Sequence, residues 1–351
     1  MEIYQKIRPL LFKLDPEKAH YLITNTLGYI RKLPFADDVF IGIGGYESAR
    51  LENTICNMDF YNPIGLAAGF DKNGKMLQSL CGLGFGFLEL GTITKIAQAG
   101  NPKPRIFRHI KEESLQNSMG FNNDGSFSFA SRLKKHYPFC IPIGINIGKN
   151  KAIAQEDSLL NYQKALEDML EIGDYYTFNL SSPNTPKLRD LQNESFVGEL
   201  FAMASEKTKK PLFLKISPDM DTDNMLKICQ KAIDSRASGI IATNTTIDYS
   251  VVENPESSGG ISGLALREKS HEVFSHLAKA FFKRTTLISV GGIDSVQEAY
   301  QRIRMGASLI QLYSALIFKG PSICRSIAKE LDSLLQRDGF EHISQAIGVD
   351  V

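Results

Sequence analysis

The side chains able to do chemistry fall in short clusters along the chain: Ala68-Gly69-Phe70-Asp71-Lys72, Gly91-Thr92, Asn146, Asn179 to Asn184, Lys215, Thr243-Asn244-Thr245, Gly291-Gly292 and Tyr313-Ser314. Asparagines, lysines and hydroxyls dominate them. They hold no histidine, and Asp71 is their only acid, so paired carboxylates of the glycosidase kind are not supported. Each asparagine offers one C=O acceptor and two N–H donors. That pattern complements the alternating N–H and C=O groups of a cyclic imide, such as a pyrimidine or an isoalloxazine edge. A lysine adds a full charge for a carboxylate, or for the negative charge on a reduced flavin ring.

The glycines suggest a second function. Gly259-Gly260-Ile261-Ser262-Gly263, Gly291-Gly292 and Tyr313-Ser314 place bare backbone N–H groups where an anion can approach them closely. A ring site beside a phosphate site fits flavin mononucleotide. Ser182 is the remaining oddity. Ser-Ser-Pro-Asn also makes an ordinary turn or helix start, and a serine hydroxyl is a weak base near neutral pH unless a relay removes its proton. Thr185 is the possible next member of such a relay.

These clusters end eight short apolar runs: Pro63–Ala68, Phe85–Gly91, Ile141–Ile147, Tyr175–Leu180, Pro211–Ile216, Gly239–Thr243, Thr286–Val290 and Ser308–Tyr313. Helical patterns such as Leu159–Ile172, Asn224–Ser235, Arg267–Phe282 and Ser295–Met305 lie between them. Eight β units each followed by an α unit is the count of a closed parallel (β/α)8 barrel, whose active residues sit at the C-terminal ends of the strands and whose phosphate sites follow strands seven and eight. A doubly wound sheet is the runner-up. The connection 93–122 is long enough to be a lid or binding loop.

Ahead of the barrel, residues 1–33 read as two amphipathic helices. Tyr4, Ile7, Leu10, Leu11 and Leu14 recur at helical spacing in the first. Asp15-Pro16 supplies an N-cap and an N1 proline for the second, where Ala19, Leu22, Ile23, Thr26, Leu27 and Ile30 form the stripe. Lys6, Arg8, Lys13, Lys18, Arg31 and Lys32 against Glu2, Asp15 and Glu17, six minus three, give a local charge of +3. The pattern suits a cap on the barrel's own core or an interfacial patch on anionic lipid.

The bulk numbers exclude other classes. With 351 residues and a net charge of +1, nothing global points to nucleic acid. Five scattered cysteines argue for reduced thiols in a cytosolic compartment, and neither they nor six dispersed histidines suggest a metal site. No run reaches the roughly 18 apolar residues of a membrane span, and the N-terminus lacks the apolar core of a signal peptide.

Five strings together carry a resemblance: Leu66 to Lys72, Gly144 to Asn150, Asn179-Leu180-Ser181-Ser182-Pro183-Asn184-Thr185-Pro186, Ile241 to Thr246, and Val290 to Ser295. They resemble the signatures of dihydroorotate dehydrogenases, in order and spacing, from about residue 4 to residue 330. The resemblance implies oxidation of (S)-dihydroorotate to orotate in pyrimidine biosynthesis, with one FMN per chain and a quinone as acceptor. It implies hydride transfer from C6 to flavin N5, proton removal from C5 by Ser182, and stabilisation of the reduced ring by Lys215. Ala68, Gly69, Phe70, Asp71, Lys72, Thr92, Asn146, Asn179, Lys215, Thr243, Gly263, Gly292, Tyr313 and Ser314 match flavin-contacting positions. Lys72, Asn117, Met119, Gly120, Phe121, Asn179, Asn184, Asn244 and Thr245 match orotate-contacting ones. Ser118 stands in the same loop where relatives often carry a basic residue, and its side chain is expected to point away.

The run Asp15 to His20 resembles the extension of the membrane-associated, quinone-reducing class. On that basis residues 1–40 form a helical extension for quinone access and lipid contact, and residues 41–351 form the barrel. His20, Arg105 and Tyr313 are candidates for the inner end of the quinone path. A monomer docked on the cytoplasmic face of the inner membrane is expected. The rival is another FMN-barrel oxidoreductase acting on a pyrimidine-like substrate, which should carry cysteine at position 182.

Overall fold

The computed structural model describes residues 2–30 and 33–351. Arg31 and Lys32, counted in the local charge above, lie outside the described residues. The chain opens with α1 (Glu2–Leu11), α2 (Pro16–Ile30) and α3 (Ala36–Gly44). Asp15 caps α2 as expected, its carboxylate accepting the Lys18 N–H at 2.9 Å. The third helix was not expected, because two glycines interrupt its short apolar pattern and weaken the helical signal. Its Ala36 and Phe40 are buried in the barrel's outer core, whereas much of α1 and α2 faces outward.

A hairpin follows, β1 (Asn53–Ile55) and β2 (Met58–Phe60), turned by Cys56 and Asn57, both at positive φ. Then come β3 (Ile64–Leu66), α4 (Leu77–Cys81), β4 (Phe87–Ile93), β5 (Ile106–His109), β6 (Ser114–Asn117), α5 (Ser126–Leu133), β7 (Ile143–Ile147), α6 (Ser158–Glu167), β8 (Tyr175–Asn179), α7 (Glu194–Lys207), β9 (Leu212–Lys215), α8 (Thr222–Asp234), β10 (Gly239–Ala242), β11 (Gly260–Gly263), α9 (Arg267–Phe281), β12 (Thr286–Val290), α10 (Val296–Arg304), β13 (Leu309–Leu312), α11 (Ser314–Lys319), α12 (Ile323–Arg337) and α13 (Ile343–Ala346).

Eight of these strands close a parallel barrel in the order β3-β4-β7-β8-β9-β10-β12-β13 and back to β3. They coincide with the eight apolar runs read from the sequence, and the open doubly wound sheet is excluded. Nearly every barrel residue is buried, because helices cover the outside and side chains fill the inside. The inside is packed by pairing an aromatic with a glycine across neighbouring strands: Phe87 with Gly65, Tyr175 with Gly144, Phe213 with Gly239. A methyl group on any of these glycines would meet its partner's ring at 2.6 Å or less. Phe60 from the hairpin closes the bottom, its ring edge-on to Phe87 at 5.5 Å.

The connection 93–122 is not a plain loop. It folds into β5 and β6, which pair antiparallel with each other and then with β11, forming a small sheet beside the mouth. The segment Gly259 to Gly263, read as a bare anion loop, is therefore mostly strand. Its glycines are needed because Cβ atoms at Gly259 and Gly263 would fall within 2.5 Å of β6-side backbone. Gly263 still reaches the cleft.

Candidate active site

The strand ends converge on one cleft at the C-terminal mouth of the barrel. Counted with its opening to solvent it encloses about 1240 Å³. It brings together Ala68, Gly69, Lys72, Thr92, Asn117, Met119, Gly120, Phe121, Asn179, Ser182, Asn184, Lys215, Thr243, Asn244, Thr245, Gly263, Gly292, Tyr313 and Ser314. Of the other expected residues, Asn146 lies directly beneath, while Ser118 and Phe70 do not line the cleft. Thr185 is buried, and its hydroxyl has no hydrogen-bond partner among the described residues.

Asp71 has a different role from a cleft acid. Its carboxylate accepts the N–H groups of Asn73, Lys75 and Met76, fixing the turn after β3. The acids that do line the cleft are Glu113 and Asp294, which sequence reading passed over. Both are neutralised by cations: Lys319 bridges them, at 2.5 Å and 3.4 Å, and Arg267 pairs with Asp294.

Beneath the cleft one carboxylate sets the direction of a chain of amides. Glu89 points into the barrel from the middle of an apolar strand. It takes hydrogen bonds from Asn146 Nδ2 (2.8 Å), Gln311 Nε2 (3.0 Å), Thr177 (3.1 Å) and Tyr175 (3.4 Å). An ionised carboxylate only accepts, so Asn146 must turn its NH2 toward it and its oxygen upward. That oxygen receives Thr92 Oγ1 (2.5 Å) and Asn179 Nδ2 (3.1 Å). Asn179 Oδ1 in turn receives Asn244 Nδ2 at 3.2 Å. The lone charge in the run Phe85–Gly91 was the available signal for Glu89.

Two lysines bring positive charge. Lys215, at the end of β9, is buried, which lowers its pKa, while Glu89 opposes the shift. Burial pulls Lys72 down to about 8, Arg105 adds to this, and Glu17 and Asp71 work against it. Lys72 donates to the Gly69 carbonyl at 2.6 Å.

The loops carrying Ser182 and Asn244 are braced from behind by Arg189. It donates to the carbonyls of Ser181 (2.9 Å) and Thr245 (3.1 Å) and pairs with Asp219 (2.9 Å). Burial pushes the Asp219 carboxyl up, but hydrogen bonds from Lys269, Thr246, Ile247 and Arg189 hold it below its ordinary value. Asn184 Nδ2 reaches across to the Asn117 backbone oxygen at 3.0 Å, and the Asn184 N–H donates to Ser182 Oγ at 3.3 Å.

His20, Arg105 and Tyr313 fall in two groups. His20 packs edge-on against Phe70 at 5.1 Å, and Phe70 against Tyr313 at 5.9 Å, an aromatic file leading from α2 to the cleft wall. Burial lowers the His20 pKa to about 4, with Lys72 assisting and Glu17 opposing, so its ring is neutral. Arg105 is instead held by a buried bidentate pair with Glu17, at 2.9 and 3.2 Å, and by the carbonyls of Ala99 and Asn101. Glu17 was counted only as a helix charge in the sequence, yet it ties α2 to the barrel.

The N–H groups of Gly292, Ile293 and Ser314 have no protein acceptor among the described residues. Glycine and helix-start donors of this kind, after the seventh and eighth barrel strands, suit a phosphate. Asparagine amides that both donate and accept, with two cations nearby, suit an imide ring. The donor set therefore fits a flavin nucleotide.

A sequence model of the family described as dihydroorotate dehydrogenase matches residues 50–335. Dihydroorotate dehydrogenase (quinone) of Helicobacter acinonychis is 54% identical over 349 residues, covering 99% of both chains. That of Sulfurimonas denitrificans is 51% identical at the same coverage. Among solved structures, the DHODH of Eimeria tenella in complex with ferulenol superposes with a TM-score of 0.85 at 32% identity, covering 96% of each chain.

Proposed function

Since the chain belongs to the dihydroorotate dehydrogenase family, we propose that it oxidises dihydroorotate to orotate at the barrel mouth, with FMN as resident cofactor and a quinone as electron acceptor. The quinone-dependent oxidation, a step of pyrimidine biosynthesis, accords with relatives at full coverage. What the site adds is a division of labour among residues.

The observation that carries the reading is the pairing of two donor sets in one cleft: unfilled backbone N–H groups at Gly292, Ile293 and Ser314, and the asparagine relay oriented by Glu89. Bound FMN would supply the hydride acceptor for C6 of dihydroorotate and a carrier of electrons to the quinone. Gly263, Gly292, Tyr313 and Ser314 would hold its phosphate; Ala68, Gly69, Thr92, Asn179, Lys215 and Thr243 would surround its ring, while Asn146 orients Asn179 from below, and Asp71 and Phe70 shape the turn that carries Ala68 and Gly69. The Lys215 ammonium stabilises negative charge on the ring. Lys72 meets the substrate carboxylate, while Asn117, Asn179, Asn184, Asn244 and Thr245 address its imide edge. Met119, Gly120 and Phe121 wall the pocket.

Ser182 takes the C5 proton as the C5=C6 bond forms. Its oxygen already accepts the Asn184 N–H, which fixes the hydroxyl's position. Thr185, buried and without a hydrogen-bond partner among the described residues, would relay that proton outward, releasing its own hydroxyl proton to solvent water as it accepts.

The quinone approaches along α1 and α2, past His20 and Phe70 to Tyr313. Ile7, Leu10, Leu14, Tyr21, Leu22 and Tyr29 are exposed there, and none of the described helices is long and apolar enough to cross a membrane. On this reading the protein is a monomer on the cytoplasmic face of the inner membrane, with these exposed apolar side chains turned toward lipid. Arg105 secures the extension and does not face the cleft.

The absorption spectrum tests the core of this. The purified protein should be yellow and should bleach anaerobically on adding dihydroorotate. A folded protein that stays colourless after incubation with FMN would overturn the assignment.

A further inference from the structure

The glycine loop after β12 owes its shape to a guanidinium that never reaches the cleft. Arg302, on α10, is completely buried. It donates to Glu298 Oε1 (2.6 Å), Ser270 Oγ (3.0 Å), the Arg267 carbonyl (3.2 Å), Ser289 Oγ (3.3 Å) and the Gly291 carbonyl (3.4 Å). It thus joins β12, the glycine loop, α9 and α10. The Gly291 carbonyl also accepts from Ser270 Oγ at 2.7 Å, and the Gly292 carbonyl from Arg267 Nε at 3.0 Å.

These bonds fix which way the loop faces. The peptide bonds after Gly291 and Gly292 are trans, and in a trans peptide the N–H points opposite to the C=O. With both carbonyls drawn toward α9 and α10, the N–H groups of Gly292 and Ile293 must point the other way, into the cleft both residues line. Neither N–H has a protein acceptor among the described residues. Gly292 sits at φ +73°, and a Cβ there would come within 2.5 Å of the Arg267 backbone. The loop has no room to reorient while the clamp holds.

We propose that Arg302 is a positioning residue for the flavin phosphate: with Ser270 it holds the Gly291 carbonyl, and through the Arg267 carbonyl it steadies the residue that holds the Gly292 carbonyl, so that two N–H donors converge on the anion. This rests on the reading of the mouth as an FMN site. The ordinary alternative is a buried Arg302–Glu298 pair that only packs α10 against the barrel. The two differ in what they do to a flavin without a phosphate.

The full-length holoprotein, loaded with FMN or with riboflavin, is diluted and flavin release followed by returning fluorescence. The variants are Ser270→Ala, which removes one donor, and Arg302→Met with Glu298→Gln, which leaves no carboxylate unpaired. Wild type should retain FMN far better than riboflavin. The variants should weaken FMN retention about tenfold, the loss of one or two hydrogen bonds, and leave riboflavin within about twofold of wild type. Equal weakening of both flavins, or of neither, would overturn the clamp. Wild type that holds both flavins alike would instead overturn the phosphate site itself, and the clamp with it.

Discussion

At the barrel mouth polar side chains are locked in direction: Glu89 orients Asn146, Asn146 orients Asn179, and Asn179 receives Asn244. On the N-terminal extension the reverse holds. Six of the sixteen exposed large hydrophobic side chains described lie within residues 2–30, among them Leu10 at 69% and Tyr29 at 67% exposure. One region works through the orientation of a few atoms, the other through the amount of apolar area it presents. Single substitutions should therefore be severe in the first and mild in the second, where only removal of the whole surface should be severe.

The largest expected effect comes from that removal. A chain beginning at residue 34 keeps α3, whose Phe40 is part of the core, but lacks α1 and α2. Reduction of a long-chain quinone should be lost, while dihydroorotate still bleaches the flavin and a small soluble dye still reoxidises it. If quinone reduction survives, the extension is a docking surface alone. If both half-reactions fall together, it is a structural cap.

Next is Ser182→Ala, which should slow flavin reduction by roughly 10²–10⁴-fold, the share of a positioned general base. Reoxidation by quinone should barely change, since it needs no C5 deprotonation. Stopped-flow traces with equal reduction rates in both proteins would place the base elsewhere.

A third experiment probes the seam between the two regions. Glu17→Ala leaves the buried Arg105 without its carboxylate and should cost about 3–5 kcal/mol in chemical denaturation. A change under about 1 kcal/mol would mean that α2 is held by its apolar contacts instead.

The smallest effect is a matter of pH. Lys72 has a pKa of about 8, lowered chiefly by burial, so it is charged below that pH and loses its proton above it. Affinity for dihydroorotate should fall as pH rises through 8, by up to about tenfold per pH unit, the ceiling for one required proton. Lys72→Arg, always charged, should flatten the slope; an unchanged slope would assign the titration to another group.

The barrel was legible because its strands are continuous apolar runs that end in polar clusters, and helices with a 3.6-residue stripe separate them. The small sheet was not. Ile106-Phe107-Arg108-His109 and Ser114-Leu115-Gln116-Asn117 are four-residue strands of mixed polarity, and Gly260-Ile261-Ser262-Gly263 has a single β-former, Ile261, beside two strand-weakening glycines. The site's own residues were visible as strand-end clusters. The residues that aim them were not, because Glu89, Arg189 and Arg302 act across distances of 57, 56 and 11 positions, which spacing does not reveal. Asp71 was misread for the complementary reason: its partners are local backbone N–H groups, and an acid at a strand end looks the same whether it serves a turn or a ligand.

The pairing of β6 with β11 bears on how the molecule assembles. Asn117 and Gly260 are 143 positions apart, and the segment between them contains β7, β8, β9 and β10. Closing so long a stretch of unfolded chain carries an entropy cost that grows with its length. Once those four strands are in place the ends are already near one another and most of the cost is gone. The β6–β11 pairing is therefore among the last native contacts to form, and by the same token among the first to open. Native-state hydrogen exchange should find its amides, Leu115 and Ile261 among them, exchanging through a smaller opening than those of β4 or β7. The side of the cleft that faces the substrate is then the least cooperative part of the barrel, and a flavin would bind to a cylinder already formed.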